Sequence, residues 1–168
     1  DSLVYAKPSL IEEVLAKTLT LEELKVTDSR AQTSEVYHAF RRGFEQNHSM
    51  KSLEWISTER SALLEEVFFG IFNHPKLKTL LLEVHLTGSS SQALRSCLHV
   101  NGTLESITIL LRPRQDNKYF TLEPVLLGLA CNRGVTHFHI RNSPLSLIDC
   151  ATAWVELLQK NTSITMLE

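Results

Sequence analysis

The chain has 168 residues and a net charge of −2; 43% of it is apolar, 21% is charged, and 28 residues, about one in six, are leucine. Such a chain folds around a core instead of staying disordered, and its length suits one domain spanning 1–168. The balanced charge excludes the broad basic footprint of a general nucleic-acid binder. No apolar run approaches the roughly 20 residues that cross a bilayer, so no membrane is expected as a partner.

The start, Asp1-Ser2-Leu3-Val4, lacks the basic and apolar regions of a secretory signal, and it lacks an initiator Met, as an excised piece of a longer chain would. Cys97, Cys131 and Cys150 are odd in number and form no C-x-x-C. Free thiols and a cytoplasmic location are therefore expected. Cys97 and Cys131 fall in apolar helical stretches and are expected to be small buried hydrophobes.

The elements repeat along the chain. Pro8-Ser9 predicts the opening of a first helix, since proline suits a first turn, and Ile11 and Leu15 fall on one helical face. Leu21-x-x-Leu24-x-Val26 follows, and its last three residues alternate as a short strand does. A second helix carries Phe40 and Phe44 before Met50, Leu53 and Trp55. A third carries Val67 and Ile71 before Leu77, Leu80 and Leu82. A fourth carries Leu94 and Leu98 before Leu104, Ile107 and Ile109. The polar stretch Arg112–Phe120 then predicts a loop. A fifth unit follows with Val125, Leu129, Val135, Phe138 and Ile140. The sixth has Trp154, Leu158, Ile164 and Leu167, where the chain ends. The starts at Leu21, Met50, Leu77, Leu104, Val135 and Ile164 are spaced 29, 27, 27, 31 and 29 residues apart.

Two further columns run in the same register. Seven residues before each start stand Val14, Gly43, Gly70, Cys97, Gly128 and Leu157. Glycine inside a helix costs about 0.5–1 kcal/mol relative to alanine, so three in one column predict a close approach of that face to a neighbour. Three before each start stand Thr18, Asn47, His74, Asn101, Asn132 and Asn161. Asparagine tolerates the left-handed conformation that ends a helix, so this column is expected to mark helix stops. It also explains the sequons at Asn47, Asn101 and Asn161 without glycosylation.

Each helix–strand unit cannot bury its apolar face alone, but stacked units can. The expected fold is an α/β solenoid bent into a horseshoe arc. Parallel strands line its concave face and helices its convex face, in five full units plus an open sixth. That open end exposes apolar surface, which predicts continuation in a longer array or self-association.

On these residues the chain resembles the leucine-rich-repeat family in its ribonuclease-inhibitor-like class, from about Ser9 to Glu168. It departs from that class at Ser29, Thr58, His85, Arg112 and Ser143, where the family usually carries asparagine, so looser turns are expected there. Leu126-Leu-Gly-Leu-Ala-Cys131-Asn132 resembles a segment of the CARMIL family of capping-protein regulators. The domain length and Lys160-Asn-Thr-Ser-Ile164 are similar to tropomodulins. Both families are actin regulators, so the resemblance implies a protein-interaction scaffold in actin regulation. The same repeats end intracellular innate receptors of the nucleotide-binding class, where they sense ligands or partners, and they occur in GTPase-activating scaffolds.

Alternation along each strand points a second set of residues outward: Glu23, Lys25, Thr27; Ser52, Glu54, Ile56; Thr79, Leu81, Glu83; Ser106, Thr108, Leu110; His137, His139, Arg141. Ile56, Leu81 and Leu110 form an apolar middle, with acids toward the first strands and cations at the fifth. An apolar patch rimmed by charge is the usual anatomy of a protein interface. Lys25, Glu54, Ile56, Leu81, Glu83, Thr108, Leu110, His137, His139 and Arg141 are the expected partner contacts. Arg112, Arg114, Lys118 and Tyr119 offer a secondary loop contact.

His137-x-His139 could chelate a metal, but zinc needs further ligands that the nearby sequence lacks. A partner-facing pair is the better reading, one that could make binding pH-sensitive. Catalytic motifs are missing: there is no G-x-S-x-G, P-loop or H-E-x-x-H. Glu12-Glu13, Glu22-Glu23 and Glu65-Glu66 read as charged surface. No enzymatic activity and no cofactor are expected.

Overall fold

In a computed structural model, which describes residues 7–28, 33–57, 63–111, 122–141 and 150–167, helix and strand alternate through the described residues. The order is α1 (Pro8–Lys17), β1 (Glu23–Asp28), α2 (Ser34–Gln46), β2 (Ser52–Ser57), α3 (Leu64–Phe72), β3 (Thr79–Val84), α4 (Gly88–Val100), β4 (Ser106–Leu111), α5 (Glu123–Cys131), β5 (His137–Arg141), α6 (Ala151–Lys160) and β6 (Met166–Leu167). The strands form one parallel sheet in chain order, β1 to β6. The helices pack in the same order on its other side, and the result is the expected leucine-rich-repeat arc.

One row of side chains shows how the register works. Val26 pairs with Trp55, Trp55 with Leu82, Leu82 with Ile109, and Ile109 with Ile140. Every strand-core residue of β2 to β4 is buried, and the helix columns at Ile11, Phe40, Val67, Leu94 and Val125 close over them. Trp55 is the largest residue in this core, with its ring edge-on to Phe40 at 5.0 Å. Such burial, at about 25 cal/mol per Å² of apolar surface, is what a single unit cannot achieve without neighbours.

The helices start and align by local means. Proline opens α1 and lies in the first turn of α5. At α4 the Thr87 hydroxyl accepts from the Ser90 amide at 3.2 Å, and the Ser90 hydroxyl accepts from the Thr87 amide at 2.7 Å. That reciprocal capping box satisfies two amides the helix itself cannot. Between α2 and α3, the Arg41 guanidinium donates to Glu66 at 2.8 Å and to Glu45 at 3.0 Å, and lies 5.4 Å from the centre of the Phe69 ring. Its hydrogen bond holds the Glu66 carboxyl below the usual range.

The glycine column has the steric cause expected of it. A Cβ at Gly70 would lie 2.7 Å from Arg41 Cα, one at Gly128 2.8 Å from Arg95 O, and one at Gly43 2.8 Å from Leu15 Cβ. Each glycine lets its helix press against the preceding one.

The asparagine column does not behave as expected. Asn47, Asn101, Asn132 and Asn161 are not left-handed; their backbones are extended, with φ between −81° and −72°. Their work is done by the side chain. Asn132 Nδ2 donates to Leu98 O at 2.6 Å and Asn101 O at 2.7 Å, while its Oδ1 accepts from the Gly134 and Val135 amides. Asn161 repeats this pattern one unit later. The column is a ladder that ties each helix-to-strand joint to the joint before it. The Nδ2 atoms of the three sequon asparagines are engaged in it.

Two other expectations fail. Cys131 is exposed, not buried, whereas Cys97 and Cys150 are buried. Cys131 sits four residues before its unit's start, and the matching residues Lys17, Gln46, Asn73, Val100 and Lys160 are all exposed. Leu158 continues the buried column of Leu15, Phe44, Ile71, Leu98 and Leu129, yet it is 67% exposed. The next unit covers that column in each earlier repeat, as Leu15 is covered at Gly43, and no described residue covers Leu158.

Candidate functional site

The outward-pointing strand residues form three rows across the sheet. One runs Glu23, Ser52, Thr79, Ser106, His137, Met166. The next runs Lys25, Glu54, Leu81, Thr108, His139. The third runs Thr27, Ile56, Glu83, Leu110, Arg141. All ten strand residues expected to contact a partner therefore share one surface. The apolar members are not fully exposed: Ile56, Leu81 and Leu110 are half-buried among their row neighbours.

Parallel pairing puts residues of adjacent strands side by side, so the rows set the electrostatics directly. Lys25 Nζ lies 2.6 Å from Glu54 Oε1 across β1 and β2. In the row just before the strands, Lys51 meets Glu22 at 2.6 Å and Lys78 meets Glu105 at 2.8 Å. These exposed pairs fix side-chain positions more than they add stability.

The fifth strand differs. Arg141 Nε donates to His139 Nε2 at 2.7 Å. His137 Nδ1 lies 2.8 Å from the Thr136 hydroxyl, which itself donates to Glu105 O at 3.0 Å. A cleft of about 150 Å³ opens here, lined by Ser106, Thr108, His137, Phe138, His139 and Met166. Among the described residues no cluster of three or more His, Cys, Asp or Glu is placed to hold a metal ion.

Glu12, Glu13, Glu22 and Glu66 all sit in surface ion pairs, as expected of charged surface. The loop contact expected at Arg112, Arg114, Lys118 and Tyr119 lies outside the described residues, as do the turn positions Ser29, Thr58 and Ser143. No described helix is long and apolar enough to cross a membrane.

No family model matches the chain, and neither does any curated protein sequence. Solved structures do. Actin-binding site 2 of leiomodin-1 is similar at a TM-score of 0.67 and 17% identity, over 90% of this chain and 87% of that one. The C-terminal domain of tropomodulin from Caenorhabditis elegans is similar at a TM-score of 0.62 and 15% identity, over 92% and 95%. At these identities the likeness shows the fold. It extends over nearly the whole chain, with no large unmatched piece on either side.

The sequence reasoning missed the asparagine ladder and the place of His74 within it. His74 Nε2 lies 3.2 Å from Asn47 Oδ1, and His74 is buried. The signal was present in the column itself, where one histidine stands among four asparagines.

Proposed function

We propose that this chain is a protein-recognition module acting in actin regulation, and that it holds its partner on the strand face. The observation that carries the reading is the near full-length fold likeness to a domain whose own role is actin binding. The strand face supports it, since half-buried Ile56, Leu81 and Leu110 are flanked by charged rows, as in an interface with an apolar centre and a polar rim. A cytoplasmic location follows from that role. No observation favours the sensing end of an innate receptor or a GTPase-activating scaffold.

Titrating fluorescently labelled chain with monomeric actin tests the reading. Saturable binding is expected, with Leu81→Glu weakening it at least about tenfold, the usual cost of spoiling an interface centre. Circular dichroism of the variant should match the wild type, because Leu81 points out of the core. Absence of binding to both monomeric and filamentous actin would overturn the actin reading.

The open end of the array offers a second contact. Leu158, Val155, Met166 and Leu167 are exposed together there, and self-association through them would appear as concentration-dependent sedimentation, abolished by Leu158→Glu.

A further inference from the structure

We propose that the α6–β6 end of the array is a docking face for one helix–strand unit of the same repeat type, supplied by a partner protein. The face lies at the end of the array and not on the strand face, so it stands apart from the actin reading.

The inner joints show what such an end receives. Each arriving helix lays its inner face on a leucine of the unit before it: Gly43 lies against Leu15, and Gly128 against Leu98. Leu158 stands in the same column as these two leucines, but they are buried and it is exposed. The strand column behaves alike. Leu53, Leu80 and Ile107 are buried, and their equivalent Leu167 is exposed.

The polar groups continue the same series. Asn132 Nδ2 donates to Leu98 O and Asn101 O, and Asn161 Nδ2 donates to Leu129 O and Asn132 O. The next two acceptors are Leu158 O and Asn161 O, and no described side chain donates to either. Along the sheet, Glu105 O accepts from the Thr136 and His137 amides, and Thr136 O accepts from the Thr165 and Met166 amides. Thr165 O is next, on the outer side of β6, and an edge of this kind is a template for a further strand. An incoming unit therefore needs small residues on its inner helix face, then an asparagine, then an apolar strand parallel to β6.

The chain has no such unit to spare. The glycine-bearing helices α2, α3 and α5 each already press on the helix before them. The other end of the array, α1, is no mate for the α6 end of a second copy. Where α2 and α6 carry buried Ala39 and Ala153, α1 carries exposed Leu10. In the glycine column it carries exposed Val14. In the asparagine column it carries Thr18, whose hydroxyl donates to Val14 O of its own helix. Helix α6 does place Leu157 in the glycine column, but it combines that residue with Ala153 and Asn161; α1 has neither. Two large side chains hold a helix off, and no amide is there to bond across the joint.

The test titrates isotope-labelled chain with a synthetic peptide of residues 34–57, which carries Ala39, Gly43 and Asn47. Backbone amides are followed by NMR. Saturable binding is expected, with shifts at residues 155–167. Leu158→Glu in the chain should abolish it; because that side chain is exposed, the signals of α1 and β1 should stay in place. Asn47→Ala in the peptide should weaken binding about tenfold, the effect of losing two hydrogen bonds. Ala39→Leu combined with Gly43→Val copies the α1 pair and should weaken binding at least about fivefold, although it makes the peptide more apolar. Mere apolar adhesion would tighten instead. A peptide of residues 7–28, which presents the α1 end of a second copy, should not bind. No saturable binding, shifts confined to other residues, no loss with Asn47→Ala, tighter binding of the double variant, or equal binding of residues 7–28 would overturn the proposal.

Discussion

His74 Nε2 lies 3.2 Å from Asn47 Oδ1, so a histidine fills one rung of an otherwise asparagine ladder. The Lys76 amide donates to His74 Nδ1 at 3.1 Å, which places the ring proton on Nε2 and makes that atom the donor to Asn47. The rung works only with a neutral imidazole.

That requirement predicts acid sensitivity. Burial first, then the positive charges of His48 and Lys76, pull the His74 pKa from 6.5 down to about 4. Between those values the unfolded chain binds the proton and the folded chain does not. Stability is therefore complete above pH 6.5, falls as the pH drops, and is fully lost from this source near pH 4. The total is roughly 3 kcal/mol by linkage. His74→Asn should flatten that slope in urea titrations followed by tryptophan fluorescence. An unchanged slope would show that other groups cause it.

The glycine column predicts a graded response to alanine. At Gly70 the new Cβ meets backbone, Arg41 Cα at 2.7 Å and Arg41 O at 3.0 Å, which cannot swing aside. Overpacking of this kind costs about 1–3 kcal/mol, more than the helix propensity that alanine returns. Gly70→Ala should therefore lower the urea midpoint. Gly88→Ala, with nothing within 4 Å, should not.

The ladder itself predicts a large effect for a polar residue. Asn132→Ala orphans two carbonyls and two amides, of which the Leu98 and Asn101 carbonyls and the Val135 amide are in buried bonds. A cost of about 3 kcal/mol is expected, from one to three per orphaned group with partial relaxation. Asn161→Ala, at the half-buried last rung, should cost visibly less in the same denaturation assay.

The thiols should differ sharply. Cys131 is exposed, while Cys97 is buried and its pKa is pushed up to about 12 by desolvation. Because the thiolate is the reacting form, a disulfide reagent should titrate one thiol in the native protein and all three after unfolding. Fast native labelling of Cys97 would contradict this packing.

Most of the fold was legible because apolar columns repeat, and a column averages out single-residue noise. Ile11 and Phe40, or Leu53 and Leu80, are ambiguous alone and decisive together. The strand face followed from alternation alone, so Lys25 to Arg141 were placed correctly without any contact information. Three features escaped. The asparagines were read by backbone preference, while their role is carried by side-chain bonds to residues about 30 positions earlier, which local sequence does not display. Cys131 was read by its apolar neighbours instead of by its own column, where Lys17, Gln46 and Lys160 already marked an outer face. Leu158 obeys the repeat, but a column expresses burial only where a following unit supplies the cover.

The matched register has one further consequence. Ser52 pairs with Thr79, and Thr79 with Ser106, as equivalent positions. Excising residues 77–103 would thus bring Leu104 to the place of Leu77 with neither threading nor frame disturbed. The same cut would set Thr108 and Leu110 beside Glu54 and Ile56. Recombination can therefore rewrite the binding surface in whole tiles while the architecture underneath keeps its logic.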